Sequence, residues 1–267
     1  MTKTNTLPTY FISHGGGPWP WIPQMRETFA PLEASLKQMI ADHGAPPKAI
    51  LMISGHWEED EVAIMGAAKP PMLYDYSGFP PHTYDITYDA PGAPDIAART
   101  LSLLQNAGIS AHIDTDRGFD HGLFAPMEIM YPKADMPIFQ VSMLKSYDPA
   151  DHIAIGRALK PLRDEGIMIV GSGLSFHNLR LFRGGGEEAS AQFDAWLYDA
   201  MSARPDARRE AILKWETAPA ARICHREEDH LVPLFVALGA AENEPATRIF
   251  HDVSKTLGIT VSNYKFG

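Results

Sequence analysis

Residues 48–57 read KAILMISGHW, and the unbroken apolar run from Ile50 to Ile53 decides the fold class. A strand with one wet face alternates apolar and polar residues, whereas a continuous run belongs to a strand covered on both faces. Just upstream, residues 25–44 (MRETFAPLEASLKQMIADHG) form an amphipathic helical stretch that Gly44 closes. Upstream again, residues 9–14 (TYFISH) read as a strand. The same alternation continues downstream. EVAIMGA (61–67) is a short strand, residues 93–108 a helix, and MPIFQVSML (136–144) a strand. Residues 149–166 form a helix and IMIVGSGLS (167–175) a strand. Helical stretches follow at about 187–203, 205–216 and 229–241, and TRIFHDVS with GITVSNYKFG makes a closing strand pair. Strands alternating with helices predict an α/β fold with a mostly parallel central sheet and helices on both faces. No linker or internal repeat divides residues 1–267, so a single domain is expected.

Bulk properties narrow the function classes. The 267 residues are 45% hydrophobic and 21% charged, an ordinary globular mix. A formal net charge of −10 argues against a nucleic-acid partner, which needs a basic face. No signal-peptide pattern or membrane-length apolar run is present, so a cytoplasmic protein with no membrane partner is expected. Cys224 is the only cysteine, which rules out an intrachain disulfide.

The eleven histidines carry more information. His14, His56 and His177 each follow an apolar strand: YFIS, ILMISG and IMIVGSGLSF. In parallel sheets the strands' carboxyl ends share one edge, where ligands bind. The three imidazoles are therefore expected to meet there. His121, in the turn DRGFDHGLFAP, and His230, in REEDHLVPLF, join them as candidates. Convergent neutral imidazoles suit Fe, Zn, Cu or Ni better than Mg or Ca. The HGGG run after the first strand would suit an esterase oxyanion hole, but no Gly-x-Ser-x-Gly elbow accompanies it. A metal-dependent hydrolase, with zinc activating water, stays open as the alternative. One segment interrupts the alternation: residues 73–95, rich in Tyr, Pro and Gly, read as a lid over a substrate, a dimer contact or a packed surface loop.

Six ordered stretches resemble a known family: SHGGGP (13–18), ISGHWEE (53–59), YDYSGFPPHTYDITYDAPG (74–92), GFDHGLFAPMEIMYP (118–132), GSGLSFHNL (171–179) and EEDHLVPLFVALGAA (227–241). Their order is similar to that in type III extradiol ring-cleavage dioxygenases, nearest the branch related to DOPA 4,5-dioxygenase. The resemblance implies a non-haem Fe(II) site, with Zn(II) able to be bound instead. It implies an enzyme that opens a catechol-type ring with O₂ to a muconate-semialdehyde-type product. His14 and His56 match two metal-ligand positions. The third falls on His230 or on a neighbouring acid among Glu227, Glu228 and Asp229, with His230 favoured. His177 takes the acid/base role and His121 contacts substrate or oxygen. Gly15, Gly16, Tyr74 and Tyr84 are the expected substrate contacts. Trp19 and Trp21 are read as pocket walls or core, and Arg117, Arg180 and Asp75 as surface groups or contacts to a charged ring substituent. The partners implied are a small aromatic diol, O₂ and, as for many soluble enzymes, a second copy of the chain.

Overall fold

A computed structural model describes residues 6–267. Along the chain the strands are β1 (Thr9–Ser13), β2 (Ala49–Ser54), β3 (Glu58–Glu59), β4 (Val62–Met65), β5 (Ala111–Asp114), β6 (Ile138–Gln140), β7 (Met143–Leu144), β8 (Ile167–Gly173), β9 (Ala246–Ser254) and β10 (Ile259–Phe266). The helices are α1 (Pro23–Thr28), α2 (Ala30–His43), α3 (Pro94–Asn106), α4 (His121–Met130), α5 (Pro149–Leu159), α6 (Pro161–Asp164), α7 (Glu187–Ser202), α8 (Pro205–Leu213), α9 (Ala221–Cys224) and α10 (Val232–Ala240).

The central sheet runs β6-β2-β8-β1-β10-β9. Its first four strands are parallel, and the closing pair β10 and β9 is antiparallel. β2 and β8, neighbours in its interior, are buried along their whole length. Alternation along β8 shows how both faces are covered. Gly171 faces α10, where a Cβ would collide with the Pro233 carbonyl. The next residue, Ser172, donates to the Gly122 carbonyl of α4 on the other face.

Several sequence-based bounds shift for identifiable reasons. Residues 61–67 yield β4, but it pairs with β5 in a separate two-stranded sheet and does not join the central one. The stretch 136–144 divides into β6 and β7, and β7 leaves to pair with β3. The helices expected at 25–44 and 149–166 each break before a proline-led start, Pro31 and Pro161, whose missing N–H suits a first turn. The last helix begins at Val232, so residues 229–231 form the turn that precedes it.

Register sets the functional edge. Ser13 of β1 pairs with Gly173 of β8, and Ser54 of β2 pairs with Ser172. The chains leaving β1, β2 and β8 therefore emerge at one level. His14 N–H still donates to the Gly173 carbonyl at 3.2 Å, and Gly55 N–H to Ser172 at 2.9 Å.

Candidate active site

Five histidines converge at that edge. The rings of His14, His56 and His230 stand 4.7–5.0 Å apart, centroid to centroid. His121 lies 3.9 Å from His56 and 5.2 Å from His14. His177 stacks on His230 at 3.3 Å. His14 leaves β1 and His56 leaves β2 after Gly55. His121 opens α4, His177 follows β8, and His230 sits in the turn before α10.

Local sequence explains each placement. Gly15 turns the chain with φ +78°, and a Cβ there would strike the Trp19 indole. That indole is fully buried and donates to the His14 carbonyl at 2.7 Å, so Trp19 braces the histidine from the core. Trp21 packs on Phe124 and is likewise absent from the cavity lining. Gly173 passes so close to residue 230 that a Cβ would collide with the His230 carbonyl. Asp120 caps α4 through Leu123 N–H and also accepts from Ser54, Gln140 and Arg117. This fully buried carboxylate thereby ties α4 to β2 and aims His121.

Two aspartates orient four of the rings. Asp229 accepts from His230 Nδ1 at 2.8 Å, with His177 Nδ1 3.4 Å from its other oxygen. Asp75 accepts from His121 Nδ1 at 2.9 Å and from the His121 backbone at 3.0 Å, and lies 3.3 Å from His56 Nδ1. Burial alone would raise the Asp75 carboxyl, but the hydrogen bond and charge of His121, with His56, hold it down to about 2. The same opposition drives Asp229 well below the usual carboxylate range. Both are anionic acceptors, so the Nδ1 atoms facing them carry the protons. Asp75 is thus no surface group; it is the least expected part of the site, since one Asp in a Tyr-rich loop carries no local signal. Arg117 also points inward, to Asp120 and the His56 carbonyl.

The nitrogens left over have no protein partner. Buried and unpaired are both ring nitrogens of His14, Nε2 of His56 and Nε2 of His230. Desolvation, followed by the neighbouring histidines' charges, pushes the His14 ring well below its usual value and His56 down to about 4. Burial also lowers His230, despite the opposing pull of Asp229. Neutral imidazoles with unpaired ring nitrogens are what a cation would require, and an unpaired buried polar atom is otherwise costly. The residues therefore fit a bound metal. Ligand atoms of His14, His56 and His121 lie within 4.8 Å of one another, as do those of His177, Asp229 and His230.

Above the histidines opens a cavity of about 520 Å³. Gly15, Gly16, His121 and His177 line it, and so do Tyr76 and Phe79 from the long loop. Tyr74 and Tyr84 do not reach it. The Tyr74 hydroxyl is engaged by the Ile86 carbonyl, and both rings pack against Tyr76 instead. Arg180 is exposed and also lies outside the lining.

Residues 9–267 match the family model described as the catalytic LigB subunit of aromatic ring-opening dioxygenase. The chain belongs to this LigB family. It is a metal-dependent extradiol dioxygenase that opens aromatic rings, which decides against the hydrolase alternative. Among curated relatives, the dioxygenase tasH of Hapsidospora irregularis is 36% identical, covering 100% of this chain and 87% of its own. The 4,5-DOPA dioxygenase extradiol of Beta vulgaris is 35% identical, over 99% of this chain and 98% of that one. A crystal structure of an uncharacterized Escherichia coli K12 protein superposes with a TM-score of 0.78 at 26% identity, covering 98% of this chain and 100% of the other. Among the described residues, no helix is long and apolar enough to cross a membrane.

Proposed function

We propose that the LigB-type chain cleaves a catechol-type ring beside its diol, consuming one O₂ per ring and giving a muconate-semialdehyde-type product. Both oxygen atoms enter the product, so no external reductant is needed. Fe(II) is the metal assigned to this activity, with Zn(II) able to occupy the same ligands without supporting turnover. The residues proposed to hold it are His14, His56 and His230. The observation that carries this set is their buried, unpaired ring nitrogens, on rings whose centroids stand 4.7–5.0 Å apart. When bound, the metal supplies a redox-active centre able to take both the diol and O₂.

The protein's part is proton handling and exclusion of water. His177 lines the cavity and stacks on His230, which supports its role as the base that takes a phenol proton and returns one as the ring opens. Histidine suits both directions because its ordinary pKa lies near 6.5. His121, fixed by Asp75, is assigned to hydrogen-bond substrate or oxygen. Gly15 and Gly16 line the cavity, which supports their assignment as backbone contacts to the substrate. The family match from residue 9 to 267 supports the whole chain acting as one domain.

The test is anaerobic loading with Fe(II), followed by catechols and O₂. One O₂ should disappear per ring opened, with a yellow product; the Zn(II)-loaded protein should be inert. His177→Ala should retain metal and lose turnover by about 10²–10⁴-fold, the usual range for a general acid–base group. Loss of the metal in that variant would make His177 a ligand instead.

A further inference from the structure

The cavity is much larger than the ring it must hold. A protein cavity of about 150 Å³ is enough for benzene, whereas this one measures about 520 Å³. A bare catechol would leave most of it unfilled. The surplus is walled mainly by hydrocarbon: Met25 and Phe29 from α1 and its junction with α2, Phe182 and Leu257 from loops, and Ile259 and Val261 from β10. Apart from the histidines, only Arg183 and Asp252 bring charge to the lining, and Arg183 is exposed. A polar ring substituent laid on the hydrocarbon part of this wall would lose water and find partners only at Thr28, Arg183 and Asp252. An apolar substituent gains from every carbon it buries.

We infer that the substrate of this chain is a catechol carrying a sizeable apolar substituent, with its diol on the histidines and its tail in the hydrocarbon chamber. This rests on the ring-opening reading above and names the substrate class for it. Phe29, Ile259 and Val261 then act as specificity determinants. The chamber selects by size and polarity, because no charged group stands in its wall apart from Arg183 and Asp252.

The experiment compares catechol, 4-methyl-, 4-propyl- and 4-pentylcatechol with DOPA on the Fe(II)-loaded full chain. Each buried methylene should raise kcat/KM about fourfold until the chamber is full. 4-Pentylcatechol should exceed DOPA by at least about tenfold by the same burial argument. Calorimetric binding of the series to the metal-free protein should follow the same order, because the wall and not the metal makes these contacts. Leu257→Asp should cut kcat/KM for the pentyl compound more than for the methyl one. A flat series, or a preference for DOPA traceable to Arg183 and Asp252, overturns the inference. If rings open with equal efficiency whatever the tail, the inference fails and the activity stands. If no catechol is opened but metal-free binding still rises with tail length, the activity fails and the chamber's preference stands.

Discussion

Asp229 accepts the Nδ1 proton of His230 at 2.8 Å, and that contact decides which nitrogen of the ring is free. Nε2 is left buried and unpaired among the other imidazoles. Of the acids that the sequence leaves as rivals to His230, Asp229 thus serves as the histidine's orienting partner. Carboxylate–histidine pairs of this kind fix ring orientation and raise ligand basicity, and losing the outer partner typically costs about 10–100-fold in metal affinity. Asp229→Ala should weaken metal binding by that order, measured by competition with a chromophoric chelator. Unchanged affinity would mean the ring is held by packing alone.

Asp75 makes the matching arrangement on the other side, but with the emphasis reversed. Its short contacts go to His121, and its approach to His56 is longer, at 3.3 Å. Asp75→Ala should therefore reduce kcat about 10–100-fold through loss of positioning. Metal affinity should fall less than in Asp229→Ala. Titrating metal and measuring kcat on the same preparation separates the two; equal losses in both would show that Asp75 serves His56 as much as His121.

Much of this site is legible in the sequence because strand ends are legible. A continuous apolar run such as Ile50–Ile53 marks a buried strand, and the residue types just beyond it mark the edge where chemistry gathers. That logic finds His14, His56 and His177. It does not find Asp75, which reaches the site from an irregular loop placed by tertiary contacts such as Tyr76 on His121 and Phe124. Nor does it tell which aromatics of that loop face the cavity: Tyr76 and Phe79 do, because the Tyr74 hydroxyl is engaged by a carbonyl of its own loop. The separation of β4 from the central sheet is hidden for a similar reason. Val62–Met65 is as buried as a central strand, yet its partner β5 is only half-buried and carries little apolar signal.

Two glycines of β8 offer an internal comparison. Gly171 abuts the Pro233 carbonyl, while Gly173 abuts the carbonyl of His230 itself. Alanine at either position forces α10 or its preceding turn outward, and overpacking of this kind costs about 1–3 kcal/mol. Thermal unfolding should register a comparable loss for both. Only Gly173→Ala should also reduce metal affinity, since only there does the displaced backbone carry a proposed ligand. Equal effects on metal binding would indicate that the turn and helix move as one body.

His225 sets an acid limit on the fold. It is fully buried, and desolvation pushes its imidazole down to about 3, outweighing the Ser175 carbonyl contact that favours the proton. In the unfolded chain the same ring titrates near 6.5. Between those values the unfolded state binds a proton that the folded state refuses, so stability is complete above pH 6.5 and declines as pH falls through the window. Each pH unit within it costs about 1.4 kcal/mol at most from this one group. The cluster histidines with depressed values add to the slope in the metal-free protein, so the informative quantity is a difference. Urea unfolding at pH 7, 6 and 5 should show a shallower loss for His225→Gln than for the unaltered chain, because glutamine can still donate to Ser175 but takes up no proton. Parallel slopes for the two proteins would place the acid sensitivity elsewhere and remove His225 from the account.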